Sequence, residues 1–217
     1  MNLRKVFFAE LVGTAFLLAI VVGSGIMGER LANGNVAIAL LANSVATGAG
    51  LIALIIAFGA HSGAHFNPVV TFAEALLGKM AWRVTPVYIL AQISGAFAGV
   101  AAAHFMFDLP AFSASEHFRT GPSQWFSEFV ATFGLLTVIL HGAQNRVTAV
   151  PYMVGAYITA AYWFTSSTSF ANPAVTMARS VTNTFSGIYP AHAPAFIIAQ
   201  FTGLTAALFF YKYQYKQ

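Results

Sequence analysis

Three short phrases occur twice in this chain, in the same order. AELVGTAFLL at 9–18 answers SEFVATFGLL at 127–136, NPVVTFA at 67–73 answers NPAVTMA at 172–178, and LAQISGAFAG at 90–99 answers IAQFTGLTAA at 198–207. The alignment sets Glu10 against Glu128, Asn67 against Asn172 and Gln92 against Gln200. A chain that repeats itself in this way folds as two like halves, here about 1–110 and 120–217 of a single domain.

What fills the halves decides how they are related. Six apolar stretches, roughly 5–27, 36–59, 84–107, 124–142, 148–166 and 194–212, each approach the ~20 residues that cross a bilayer. Hydrophobic residues make up 58% of the 217 and charged residues 7%, too few charges to solvate the surface of a water-soluble domain. The expected fold is an all-α membrane protein. Three spans per half bring the chain out on the opposite side, so the second half runs inverted relative to the first. The opening MNLRKVFFAELVGTAFLLAIVVGSGIM imitates a secretion signal. It is longer than a signal core and contains Glu10, so it reads as a first spanning helix.

Two further segments, about 67–79 and 172–183, are apolar but too short to cross. A helix of about 11 residues rises only about 16 Å, half of the ~30 Å hydrocarbon core. Each opens with Asn-Pro, a good cap followed by a residue suited to the first helical turn. Inversion places the two half-helices on opposite faces of the membrane with their tips at the midplane. Non-helical backbone at that depth survives where it lines a wet cavity or lies buried in protein. A passage would satisfy this, with carbonyls of Gly63, Ala64, His65, Thr168 and Phe170 turned into it and the Asn67 and Asn172 amides free to donate. Two positive helix ends at one point disfavour cations. The solute expected is small, neutral and able to accept hydrogen bonds.

Charge and composition exclude other classes. Absence of cysteine rules out disulfides and thiolate metal sites. The net charge of +4 comes from basic residues scattered singly, which argues against nucleic acid and suits cytoplasmic loops. With both termini cytoplasmic, that side holds Arg4, Lys5, Lys79, Arg83, Arg146, Lys212 and Lys216, against Arg30, Arg119 and Arg179 on the other. Small residues such as Gly13, Gly95, Gly99, Ala131, Gly155 and Gly203 suit close helix approach. His61 and His65 have the spacing of a helical metal pair but stand in a glycine-containing loop without a third ligand nearby, so no metal is expected. No nucleophile–base pair or phosphate loop points to an enzyme.

SGAHFNPVVT (62–71), NPAVT (172–176), the paired Glu10 and Glu128, and HGA at 141–143 resemble the aquaporin and glycerol-facilitator family over essentially the whole chain. The resemblance implies a homotetramer in the bilayer of the cell inner membrane, one passive two-way pore per subunit, and no cofactor. It assigns Asn67-Pro68-Val69 and Asn172-Pro173-Ala174 to the pore motifs, and Glu10 and Glu128 to bracing the loops before the half-helices.

Two departures stand out. The first motif carries Val69 in place of alanine. Position 175, where the family's filter arginine stands, is valine. The other filter positions correspond to Thr47, Ser169, and either Ala160 or Tyr162. A unit charge about 4 Å away is worth roughly 4 kcal/mol at an effective dielectric of about 20. Its loss predicts a wider, more apolar mouth that lacks arginine and passes glycerol-sized solutes. Bacterial relatives with valine here look like channels found with arsenic-resistance genes, which implies arsenite or methylated arsenicals as cargo. Arg179, one turn beyond Val175, is placed in the outer vestibule, the rival reading being a lipid-facing residue or a partner of Glu116. Alternatives for the whole chain are a strict water channel or an ion-coupled transporter.

Overall fold

A computed structural model describes residues 2–215; Met1, Lys216 and Gln217, the second of which figures in the orientation count, lie outside the described residues. These contain eight α-helices and no strand. The first half comprises α1 (Leu3–Leu31), α2 (Val36–Ser62), the short α3 (Pro68–Leu76) and α4 (Thr85–Met106). The second comprises α5 (Pro122–Asn145), α6 (Val150–Phe164), the short α7 (Pro173–Arg179) and α8 (Ala193–Tyr215). Asparagine side chains cap four of the eight: Asn2, Asn35, Asn67 and Asn172 each accept backbone N–H bonds from the first turn.

Among the described residues five helices, or helices with a preceding single turn, are long and apolar enough to cross a membrane. The remaining one expected to do so, α6, has 15 residues and follows a single 3₁₀ turn at Val147–Ala149. It ends at Phe164, short of the expected 166, because Thr165 turns extended and Ser167 is drawn to the Glu128 carboxylate. The second short helix also stops early, at Arg179 instead of 183. Ser180 and Val181 close tight turns onto Met177 O and Ala178 O. The chain then pairs with the loop between α4 and α5 through Ser115 N to Ser180 O (3.0 Å) and Ser113 N to Val181 O (3.0 Å).

Glycines set the packing within and between halves. Gly95 and Gly99 of α4 lie against the Leu11 and Ala15 carbonyls of α1, and Gly203 of α8 against the Phe129 carbonyl of α5. Across the halves, Gly48 of α2 and Gly155 of α6 stand back to back, each against the other's carbonyl. A side chain at any of these would collide with backbone, which has no room to yield. His104, fully buried near the end of α4, fastens the loops that follow α4 and α7 through Pro110 O (2.6 Å) and Thr182 Oγ1 (2.7 Å).

Candidate functional site

Two buried carboxylates organise the centre in the same way. Glu10 of α1 accepts from Ser62 Oγ (2.6 Å), His65 N (2.9 Å), Phe66 N (2.7 Å) and Gln92 Nε2 (2.8 Å). Glu128 of α5 accepts from Ser167 Oγ (2.6 Å), Phe170 N (2.8 Å), Ala171 N (2.9 Å) and Gln200 Nε2 (2.6 Å). Each glutamine also meets the half-helix threonine, Gln92 at Thr71 Oγ1 (2.9 Å) and Gln200 at Thr176 Oγ1 (2.8 Å). Loops held this way keep left-handed backbone at Ala64 (φ 52°) and Phe66 (φ 50°), and at Ser169 (φ 52°) and Ala171 (φ 46°). Non-glycine residues adopt that conformation at about 1–3 kcal/mol each, a strain persisting only where the surroundings over-determine it. Four donors on one buried carboxylate do so, at about 1.5–3 kcal/mol per charged hydrogen bond.

The half-helix tips are joined reciprocally. Asn67 Nδ2 donates to Ala171 O (2.8 Å), and Asn172 Nδ2 donates to Phe66 O (2.8 Å). Each asparagine also caps its own helix, Asn67 Oδ1 at Val69 N (3.0 Å) and Asn172 Oδ1 at Ala174 N (3.0 Å). One amide hydrogen of each is therefore engaged. The other remains for a solute, and both residues line a cavity of about 420 Å³ that runs past the tips.

Carbonyl-bearing Gly63, Ala64, His65 and Phe66 line one side of the cavity, and Leu51, Ile55, Val154 and Ile158 belong to its apolar wall. His65 is steadied by Thr71 Oγ1 (3.1 Å) and the Tyr88 ring. In the second loop Ser169 and Phe170 line the passage, whereas Thr168 does not. Pro68, Val69, Pro173 and Ala174 are buried behind it, Val69 in a cluster with Leu136, Leu140 and Leu204.

Toward the α7 mouth the cavity meets Thr47, Tyr162, Ser169, Val175 and Arg179. Of the two candidates from the fifth span it is Tyr162 that faces in, its hydroxyl 3.3 Å from Thr47 Oγ1. Ala160, two residues earlier and so about 200° round the helix, is exposed on the outside. Ser169 Oγ is buried without a partner among the described residues. Position 175 is valine, but Arg179, only 2% exposed, lines the same cavity. Its Nε donates to Ser186 O, its guanidinium carbon lies 3.4 Å from the Phe170 ring centroid, and among the described residues its terminal nitrogens have no acceptor. Neither rival reading holds: it does not face lipid, and Glu116 is exposed, its backbone N–H donating to Asn183 Oδ1 (3.0 Å).

Arg119 figures in the sequence only as a charge in the orientation count. From the loop before α5 it donates to Gly187 O (2.8 Å), Ser167 O (3.4 Å) and Phe185 O (3.4 Å), and its guanidinium lies 5.4 Å from Phe170. Burial pushes its pKa below the ordinary value, with the Glu128 charge acting in the opposite sense. A lone arginine in the RTGPS turn leading into a helix was the available signal. At the other mouth Glu74 lines the cavity with Gly59, Ala143 and Val147, its carboxylate 3.8 Å from Lys79 Nζ.

The family described as Major intrinsic protein matches residues 1–169. Aquaglyceroporin AqpS of Rhizobium meliloti is 56% identical over 200 residues, spanning 92% of this chain and 85% of its own. The glycerol uptake facilitator protein of Bacillus subtilis is 33% identical over 71% of this chain and 61% of its own, and the probable aquaporin NIP7-1 of Arabidopsis thaliana is 32% identical over 73% and 58%. The chain thus spans about three fifths of these two longer relatives. In fold it is similar to the aquaglyceroporin from Plasmodium falciparum (TM-score 0.73, 19% identity, 98% of this chain and 95% of that one).

Proposed function

The chain belongs to the major intrinsic protein family, and from that premise we propose a passive membrane channel for water, glycerol-like polyols and neutral metalloid hydroxides such as arsenite or methylated arsenicals. The observation that carries this reading is the composition of the passage. Aliphatic side chains share the passage with the first-loop residues Gly63, Ala64 and His65, two asparagine amides and the hydroxyl-bearing Thr47 and Tyr162. A polyol has the same division, with a hydrocarbon edge on one side and hydroxyls on the other. Thr47, Tyr162, Ser169 and Val175 act as the outer selectivity filter, valine at 175 leaving the volume that a larger solute needs. Arg179 supplies donors in the outer vestibule. The chain works in the inner membrane as a homotetramer with cytoplasmic termini, its halves an inverted repeat.

Purified protein in liposomes tests this by osmotic response. Glycerol and arsenite enter without an ion gradient and without ready saturation, and Val175→Arg lowers the glycerol-to-water ratio at least about tenfold, a barrier difference of about 1.4 kcal/mol. Gradient-dependent uptake overturns the channel. An unchanged ratio in the variant removes position 175 from the filter.

A further inference from the structure

Among the described residues that line the passage, two carry an acidic or basic group of fixed sign, Glu74 and Arg179, and they stand at corresponding places in the two halves. Glu74 is the seventh residue after Asn67, and Arg179 the seventh after Asn172. Seven residues of helix separate each from its tip by about 10 Å along the axis. The tips point at each other, so one charge stands toward each mouth. The outer half presents donors: the Arg179 terminal nitrogens, which have no acceptor among the described residues, and the remaining amide hydrogens of the asparagines. Left to itself, such a path attracts oxyanions and would conduct them. The inner half is lined by Gly63, Ala64, His65 and the acidic Glu74.

We propose that Glu74 is the anion barrier of this channel, opposing Arg179 across the passage so that each mouth turns away one sign of charge. Lys79 does not cancel it. The ammonium stands 3.8 Å from Glu74 Oε1, over the Tyr211 ring (5.5 Å), and is not among the lining residues, so a solute meets the carboxylate and not its counter-ion. The turn after α3 fixes this order, with Lys79 N (2.9 Å) and Met80 N (3.3 Å) both donating to Glu74 O. Selection of neutral solutes is then divided between two residues about 20 Å apart.

This inference deepens the proposed function and rests on it. Liposome swelling in potassium nitrate, with valinomycin carrying potassium, reads anion permeation; swelling in glycerol reads neutral permeation. Glu74→Gln raises the nitrate-to-glycerol ratio at least about tenfold over the unsubstituted protein, Glu74→Asp returns it toward the original, and Arg179→Gln added to Glu74→Gln removes the gain. Lys79→Gln, which strips the counter-ion while leaving the carboxylate, moves the ratio the opposite way and serves should Glu74→Gln not fold. Glycerol permeation in both proteins with an unchanged nitrate ratio overturns the role of Glu74 and leaves the channel reading intact. Failure of the unsubstituted protein to pass glycerol overturns both.

Discussion

The loop before α3 and the loop before α7 do the same work with different residues. Both hang from a buried glutamate by a serine hydroxyl, two consecutive backbone N–H groups and a glutamine. Around that shared core the halves diverge. The fourth residue before the asparagine is left-handed in both, but it is Gly63 (φ 84°) in one and Thr168 (φ 62°) in the other. The residue after the proline is Val69 or Ala174, the half-helix has 9 or 7 residues, and the charge at the mouth is Glu74 or Arg179. Constraint is therefore concentrated where strained carbonyls must be held, and freedom increases toward the mouths, where solutes are admitted.

That contrast can be broken or sharpened by substitution. Glu10→Ala and Glu128→Ala have the largest expected effect, each stranding four donors and destabilising by about 3–5 kcal/mol. Thermal unfolding in detergent should show equal losses, and a lopsided result would mean the two braces are not equivalent. Val69→Ala follows, with a loss of about 2 kcal/mol from the void left among Leu136, Leu140 and Leu204. Arg179→Gln comes next: potassium permeability relative to glycerol rises about tenfold, or about 1.4 kcal/mol, read as a shift in reversal potential in planar bilayers. Smallest is Thr168→Gly. It relieves a β-branched residue of left-handed strain, offset in part by the freer unfolded chain, for a gain of about 0.5–1 kcal/mol. Gly63→Thr should act in the opposite direction.

The half-helices, the paired carboxylates and the matching of Gln92 with Gln200 are legible in the repeated phrases alone, because a twofold relation tests each match against another. The wall of the passage is not. Leu51 and Ile55 line it while Ile56, one residue on, is 54% exposed on the outside. In water a polar face would separate them; lipid wants the same side chains that a packed interior does, so periodicity carries no label. The choice between Ala160 and Tyr162 required the rotation of α6 about its own axis, which is fixed by its close packing on α2 at Gly48 and Gly155, far apart in sequence. Spacing put Arg179 on the face of Val175, but its stacking on Phe170 comes from a loop whose course no local rule dictates.

The exchanged asparagine bonds have a mechanical consequence. With Asn67 fastened to the far loop and Asn172 to the near one, neither half can slide or tilt at the waist without breaking a hydrogen bond to its opposite number. The middle of the molecule behaves as a buckle, shut from both sides. Any valve acting on flow must work at the rims and leave that buckle closed.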